Sequence, residues 1–168
     1  MIEEVKRPDN VISLDLSETK RTKVWVNDDC TKVLELNLTD LNVMSRARDA
    51  MSKLDELQAE ANELASADVP SEIETEEDEK KVDFAIDKFK SIDSKMRDLV
   101  DSIFDFPVSD VCCDGGSMYD PIKGQYRYEY IIDRIMVLYG DEWEKESKLR
   151  KEKMQSHTAK YTKSRKRK

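Results

Sequence analysis

Seven apolar residues, Val82, Ala85, Phe89, Ile92, Met96, Leu99 and Ile103, follow one another at alternating steps of three and four without a slip. That alternation marks a helix with one buried seam, because residues three and four apart share a helical face. A β-strand buries every second residue, so this segment cannot sit in a sheet and needs a second apolar surface to cover it. Ile86 and Val100 widen the stripe, which favours a bundle over an isolated two-stranded coil. An antiparallel hairpin with a neighbouring helix and a self-associating coil both fit the spacing.

A partner helix precedes it. Leu41, Met44, Ala47, Met51, Leu54, Leu57, Ala61 and Leu64 recur at three- and four-residue steps and predict one apolar stripe over about six turns. Thr39 is the expected N-cap and Asp40 the expected first residue, with its charge placed well for the helix dipole. Between the two helices, residues 67–79 hold Pro70, and six of the eight positions 72–79 are acidic. An acidic linker is expected there, with Ser71 or Thr75 capping the second helix.

Upstream, residues 11–16 (VISLDL), 22–27 (TKVWVN) and 32–37 (KVLELN) alternate apolar with polar residues and predict a small antiparallel hairpin or three-stranded sheet. Val24 and Val26 share a face, and Val33 opposes Leu34 and Leu36. So few strands need a helix to pack on. Downstream, residues 105–124 read as a structured loop rich in Gly and Pro, with a short helix around Ser109 to Cys113. Tyr126, Tyr128, Tyr130, Ile131, Ile132, Ile135, Val137, Leu138, Tyr139 and Trp143 then predict a third helix with aromatic anchors. Beyond Trp143 only Leu149 and Met154 interrupt a charged helix that runs out into a Lys/Arg tail. The expected fold is mainly α, of α+β type: a helical hairpin or bundle, a small N-terminal antiparallel β hairpin and an extended basic C-terminal helix or tail. The expected boundaries are 1–38, 39–144 and 145–168.

Net charge is −8, but residues 145–168 carry eleven Lys or Arg against Glu146 and Glu152. That tail is +9 and the rest of the chain −17. An acidic body with a basic tail can steer a partner, neutralise a neighbouring copy or attract nucleic acid. No run of eighteen apolar residues occurs and the first ten residues are mostly polar, so neither a membrane span nor a signal peptide is expected. The expected location is the cytoplasm of the cell that makes the chain.

The chemical signals are weak. Asp114-Gly115-Gly116-Ser117 lacks the Gly-Lys-Ser/Thr of a phosphate loop and the GxGxxG of a dinucleotide site, and reads as a turn or helix stop. Cys30, Cys112, Cys113 and the single His157 have no metal-ligand spacing, and no base is near in sequence to activate a thiol. The acids of 72–79 miss the calcium-loop pattern. No enzyme, cofactor or metal is therefore expected. Tyr126, Tyr128, Tyr130 and Tyr139 with Arg127 and Arg134 have the composition of a single-strand nucleic-acid surface, although helical spacing also suits them to a core. Tyr161 among Lys160, Lys163, Arg165, Lys166, Arg167 and Lys168 could bind phosphates in a salt-sensitive way.

The order of these elements carries a resemblance. A short hairpin is followed by a helix opening Leu-Thr-Asp-Leu-Asn at 38–42, an acidic interruption and a second helix ending MRDLVDSIF at 96–104. A glycine-bearing loop, an aromatic helix and the tail KEKMQSHTAKYTKSRKRK complete it. The chain resembles the tail assembly chaperones of long-tailed bacteriophages and prophages. The family's pattern of a helix running into ID-x-x-FG-x-G, then a helix entering near FLE, is matched by residues 100–104 with Gly115 and Gly116, and by 126–132. Asp105 stands where that pattern has glycine, and the Cys112-Cys113 segment is inserted.

The resemblance implies a nonvirion factor in the host cytoplasm that coats the tape measure protein and recruits tail tube subunits, with self-association. Phe89, Ile92, Met96, Leu99, Tyr126 and Tyr130 are the expected contact residues, at spacings a core would also use. Two alternatives are a nucleic-acid-associated accessory protein acting through Lys163, Arg165, Lys166, Arg167 and Lys168, and a structural subunit of the phage tail.

Overall fold

The computed structural model describes residues 21–27 and 31–165, with side chains as far as residue 156. Its element order is β1 (Thr22–Trp25), β2 (Val33–Leu36), α1 (Asn42–Ala65), α2 (Glu76–Phe104), α3 (Val108–Cys113), β3 (Pro121–Ile122), β4 (Gln125–Tyr126) and α4 (Arg127–Arg165). The protein is mainly α with a small antiparallel hairpin near its N-terminus, as its periodicities predict. The proposed strand at 11–16 lies outside the described residues.

β1 and β2 pair with Thr22 opposite Leu36 and Trp25 opposite Val33. Leu34 and Leu36 are buried, Val24 and Val26 pack half-buried against the core, and Trp25 points outward. The two strands alone could not bury that face, and the helices supply the cover.

α1 begins later than expected, and Thr39 does not cap it. The Thr39 hydroxyl instead donates to Asn37 Oδ1 at 2.9 Å. Leu41 occupies the N-cap position without a side-chain bond, and the Asp40 carboxylate accepts from the Asn42 amide at 2.9 Å and from Arg46 at 2.8 Å. An ionised carboxylate is the stronger acceptor for a free helix amide, so the chain turns once more before the helix starts. The buried stripe also differs from the expected one. Leu41, Met44 and Met51 are exposed, while Val43 and Ala50 are buried. The stripe runs Val43, Ala47, Ala50, Leu54, Leu57, Ala61, Leu64, again at steps of four and three. The enclosed face thus carries Val43 and Ala50 in place of Met44 and Met51.

α2 opens with a reciprocal capping box. Thr75 Oγ1 accepts from the Asp78 amide at 3.2 Å, and the Asp78 carboxylate accepts from the Thr75 amide at 3.0 Å. The helix then lies antiparallel to α1, with Arg46 near the start of α1 donating to the Ile103 carbonyl near the end of α2 at 2.7 Å. Only the C-terminal half of its seam is enclosed: Ile92, Met96, Val100, Ile103 and Phe104 are each 2% exposed or less. Val82 and Ala85 are half-buried and Phe89 is exposed, because α4 and the sheet reach only the far half of the hairpin.

α4 follows α2 in the same direction. Its first turns lie at the level of Phe89, through Tyr119 and Tyr126, and Tyr139 lies against Phe104 with ring centroids 6.2 Å apart. Tyr128, Ile131, Ile135 and Tyr139 face the core. Tyr126 belongs to β4 and not to the helix. Past Trp143 the helix leaves the body, and the side chains of residues 144–156 are all exposed. No described helix is long and apolar enough to cross a membrane.

Candidate protein-binding surfaces

The surfaces are held in place by a polar staple between α2, the loop and α4. Asp93 Oδ1 accepts from the Ser117 hydroxyl and the Met118 amide, both at 2.7 Å, and Asp93 Oδ2 accepts from Arg97 Nε at 2.8 Å. Arg97 also donates to the Gly116 carbonyl. Burial raises the Asp93 pKa, but the Ser117, Arg97 and Met118 donors outweigh it and hold the carboxyl below its usual value. Arg127 pairs with Asp120 at 3.1 Å and donates to the Cys113 carbonyl at 3.1 Å. A Cβ on Gly116 would displace the tips of Arg127 and Asp120 from their present positions.

A second staple starts α3. Asp101 accepts from the Ser109 amide at 2.7 Å and the Ser109 hydroxyl at 2.8 Å. Burial, with Asp110 and Asp98 nearby, leaves the Asp101 carboxyl raised despite those donors.

Three aromatic rings then close on α1. Tyr119 meets Tyr128 at 5.8 Å and Tyr126 at 5.7 Å, and Tyr126 stacks on Tyr128 at 6.1 Å. The Tyr119 hydroxyl donates to the Leu57 carbonyl and that of Tyr128 to Gln58 Oε1. Burial pushes the Tyr128 phenol up to about 12. These rings and the buried Tyr139 form core, so the aromatic composition suggestive of nucleic acid is used internally, and Arg127 is committed to Asp120. Tyr130 stays at the surface. Lys123 Nζ and the Arg134 guanidinium lie 5.2 and 5.8 Å from its ring centroid.

The first open groove, about 440 Å³, lies between β1 and α4. Val24, Trp25, Ile122, Tyr130, Val137 and Leu138 line it, with Arg127 and Arg134 at its edge. Trp25 and Val137 are 55% and 56% exposed there. Cys112 lies at its floor, and burial pushes its thiol up to about 12. Cys113 is likewise raised by burial, although Arg97 and Arg127 pull the other way, and its thiol donates to Met118 Sδ at 3.1 Å. Neither thiol is poised as a nucleophile. Among the described residues no group of three or more His, Cys, Asp or Glu is placed to hold a metal ion.

The second groove, about 420 Å³, opens at the free end of the α1–α2 hairpin between Leu64, Val69, Val82, Ala85, Ile86 and Phe89. Leu99 lines a separate hollow framed by Lys53, Glu56, Glu60, Lys95 and Asp98.

The expected contact residues therefore separate. Ile92 and Met96 are 1% and 0% exposed and belong to the core, out of reach of a partner. Tyr126 packs half-buried against the core with Tyr119 and Tyr128, while Phe89, Leu99 and Tyr130 reach three different surfaces. Lys163 and Arg165 fall within α4 beyond the described side chains, and Lys166, Arg167 and Lys168 lie outside the described residues. Sequence reasoning missed the groove beside β1, because Trp25 and Val137 come together only through tertiary packing. It also missed the staple, whose one local signal is the Asp93/Arg97 pair at i, i+4.

Fold and surfaces define a mainly α protein with a stapled half and an open half, bearing two apolar grooves on a highly charged exterior. No protein-family profile matches the chain, and no curated protein or solved structure is significantly similar to it.

Proposed function

We propose that the chain is a tail assembly chaperone that binds and solubilises a tape measure protein and helps bring tail tube subunits to it. It does this by noncovalent binding alone, in the host cytoplasm, and does not remain in the mature virion. The observation that carries this reading is the groove between β1 and α4, an apolar trough left open on a protein in which 39% of residues are charged. Contiguous exposed apolar surface on such a chain marks an interaction site. An amphipathic helix fits a trough of this kind through anchors at i, i+3, i+4 and i+7. Arg134 at its edge suits acidic residues flanking those anchors, and the acidic exterior keeps the complex soluble.

The test is co-expression with the tape measure protein from the same genome, scoring its soluble fraction and copurification. The long partner is expected to become soluble and to copurify, and Trp25→Asp or Val137→Asp, both at exposed positions, is expected to abolish copurification without unfolding the chain. A tape measure protein that stays insoluble and unbound, while the chain retards DNA at low salt, overturns the proposal. That outcome favours the second reading, a nucleic-acid accessory role, whose supporting observation is the basic helix beyond Trp143, exposed at every described side chain from 144 to 156.

A further inference from the structure

The free end of the α1–α2 hairpin and the α4 extension are complementary surfaces at opposite ends of the molecule. At the hairpin end, Phe84 and Ile86 are 68% and 46% exposed beside the groove formed with Leu64, Val69 and Val82. Residues 63–90, which carry it, hold ten acids against Lys80, Lys81, Lys88 and Lys90, the last of these lining the groove itself, so the end is net acidic. The extension is the reverse: residues 145–165 carry eight Lys or Arg against Glu146 and Glu152, with Leu149 49% exposed among them. A basic helix with an apolar residue on an acidic apolar groove satisfies both the charge and the area left open at each end.

The fold forbids the two from meeting within one chain. α4 enters at the level of Phe89 and passes Phe104 before it leaves the body, so the extension points away from the hairpin's free end. At about 1.5 Å per residue it is roughly 32 Å of helix, longer than the roughly 20 Å of α2 from Glu76 to Phe89 that flanks the groove.

We propose that the α4 extension of one copy seats in the hairpin groove of a second copy. The contact is head-to-tail, so each added copy leaves one groove and one extension free and association propagates instead of closing as a symmetric dimer. An open array is the form that would cover a long partner repeatedly. The self-contact uses a groove distinct from the one beside β1, and it is tested on the chain alone, so its failure and that of the chaperone reading are separable.

The experiment is sedimentation velocity on the purified full-length chain from about 5 to 500 μM in about 0.1 M salt. Species beyond dimer are expected to grow with concentration and to fall back toward monomer in about 1 M salt, where surface charges are screened. Two variants resolve the polarity. One carries Lys148→Glu, Arg150→Glu and Lys151→Glu in the extension, and the other Phe84→Lys and Ile86→Lys at the hairpin end. All five positions are exposed, and unchanged circular dichroism checks the fold. Each variant alone is expected to be monomeric with association weakened at least tenfold, and an equimolar mixture to form a one-to-one complex and nothing larger. A monomeric wild type, a helix variant that still self-associates, or a mixture that stays as two monomers each overturns the proposal.

Discussion

Replacing Asp93 with alanine removes the acceptor on which the loop and α4 are hung. The carboxylate is 15% exposed and takes two hydrogen bonds from neutral donors, Ser117 Oγ and the Met118 amide, both at 2.7 Å. Hydrogen bonds to a charged partner contribute about 1.5 kcal/mol each, which gives about 3 kcal/mol. The ion pair with Arg97, 2.8 Å long and 23% exposed on the arginine side, adds up to about 1 kcal/mol. Asp93→Ala is therefore expected to lower the unfolding free energy by about 3 to 4 kcal/mol, read from urea denaturation followed by circular dichroism. Asp93→Asn keeps an acceptor for Ser117 and Met118 but turns an amide donor toward Arg97, and should lose about half as much. Because donors hold the folded Asp93 carboxyl below its unfolded value, its contribution is complete above the ordinary carboxylate range and fades as pH falls through the folded pKa. The gap between wild type and Asp93→Ala should accordingly narrow in acid. An alanine penalty under about 1 kcal/mol, or a gap that widens toward low pH, refutes the reasoning.

Asp101 titrates with the opposite sign, since its folded carboxyl is raised by burial. The stability that Asp101 gives relative to Asp101→Asn should be greatest in acid and decline as pH rises through the folded pKa, in the same denaturation series. On α1, Ala50→Leu should destabilise by about 1 to 3 kcal/mol through overpacking, whereas Met51→Glu should stay within about 0.5 kcal/mol because that residue is 55% exposed. The reverse order of melting temperatures would return the helix to the methionine face. In a Cys30→Ser background, a thiol reagent at pH 8 should label Cys112 and Cys113 at least tenfold more slowly in the folded protein than in urea. Equal rates would show that those thiols are not enclosed.

The α2 seam is legible because its large apolar residues share one face and no alternative face competes. α1 offers two overlapping faces that share Ala47, Leu54, Leu57, Ala61 and Leu64, and composition alone prefers the one with Met44 and Met51. The surface that the neighbouring elements present decides for Val43 and Ala50, and that fact lies outside the helix. Thr75 is readable as a cap because its partner Asp78 is three residues away, whereas Thr39 misleads because Asp40 beside it is the better acceptor. Periodicity cannot divide Ile92 and Met96 from Phe89, since what separates them is how far α4 extends over the seam. The staple joins residues 24 and 25 positions apart, a range at which side-chain pairing leaves no periodic trace.

α4 joins the core to the extension with no break in its helix from Arg127 to Arg165, and this makes the extension a lever. A load on Lys148 or Arg150 is delivered through the backbone to Trp143 and Tyr139, where the helix enters the body. The Tyr139 hydroxyl and the Trp143 indole N–H are buried without a hydrogen-bond partner among the described residues. The grip there is packing, with Tyr139 against Phe104 and Trp143 against Tyr139, which has no bond direction to enforce. Gly140, between the two rings, leaves the outer side of that turn bare. The fulcrum thus sits at a joint held by ring packing, while the Arg127–Asp120 pair about four turns back fixes the root of the arm by charge.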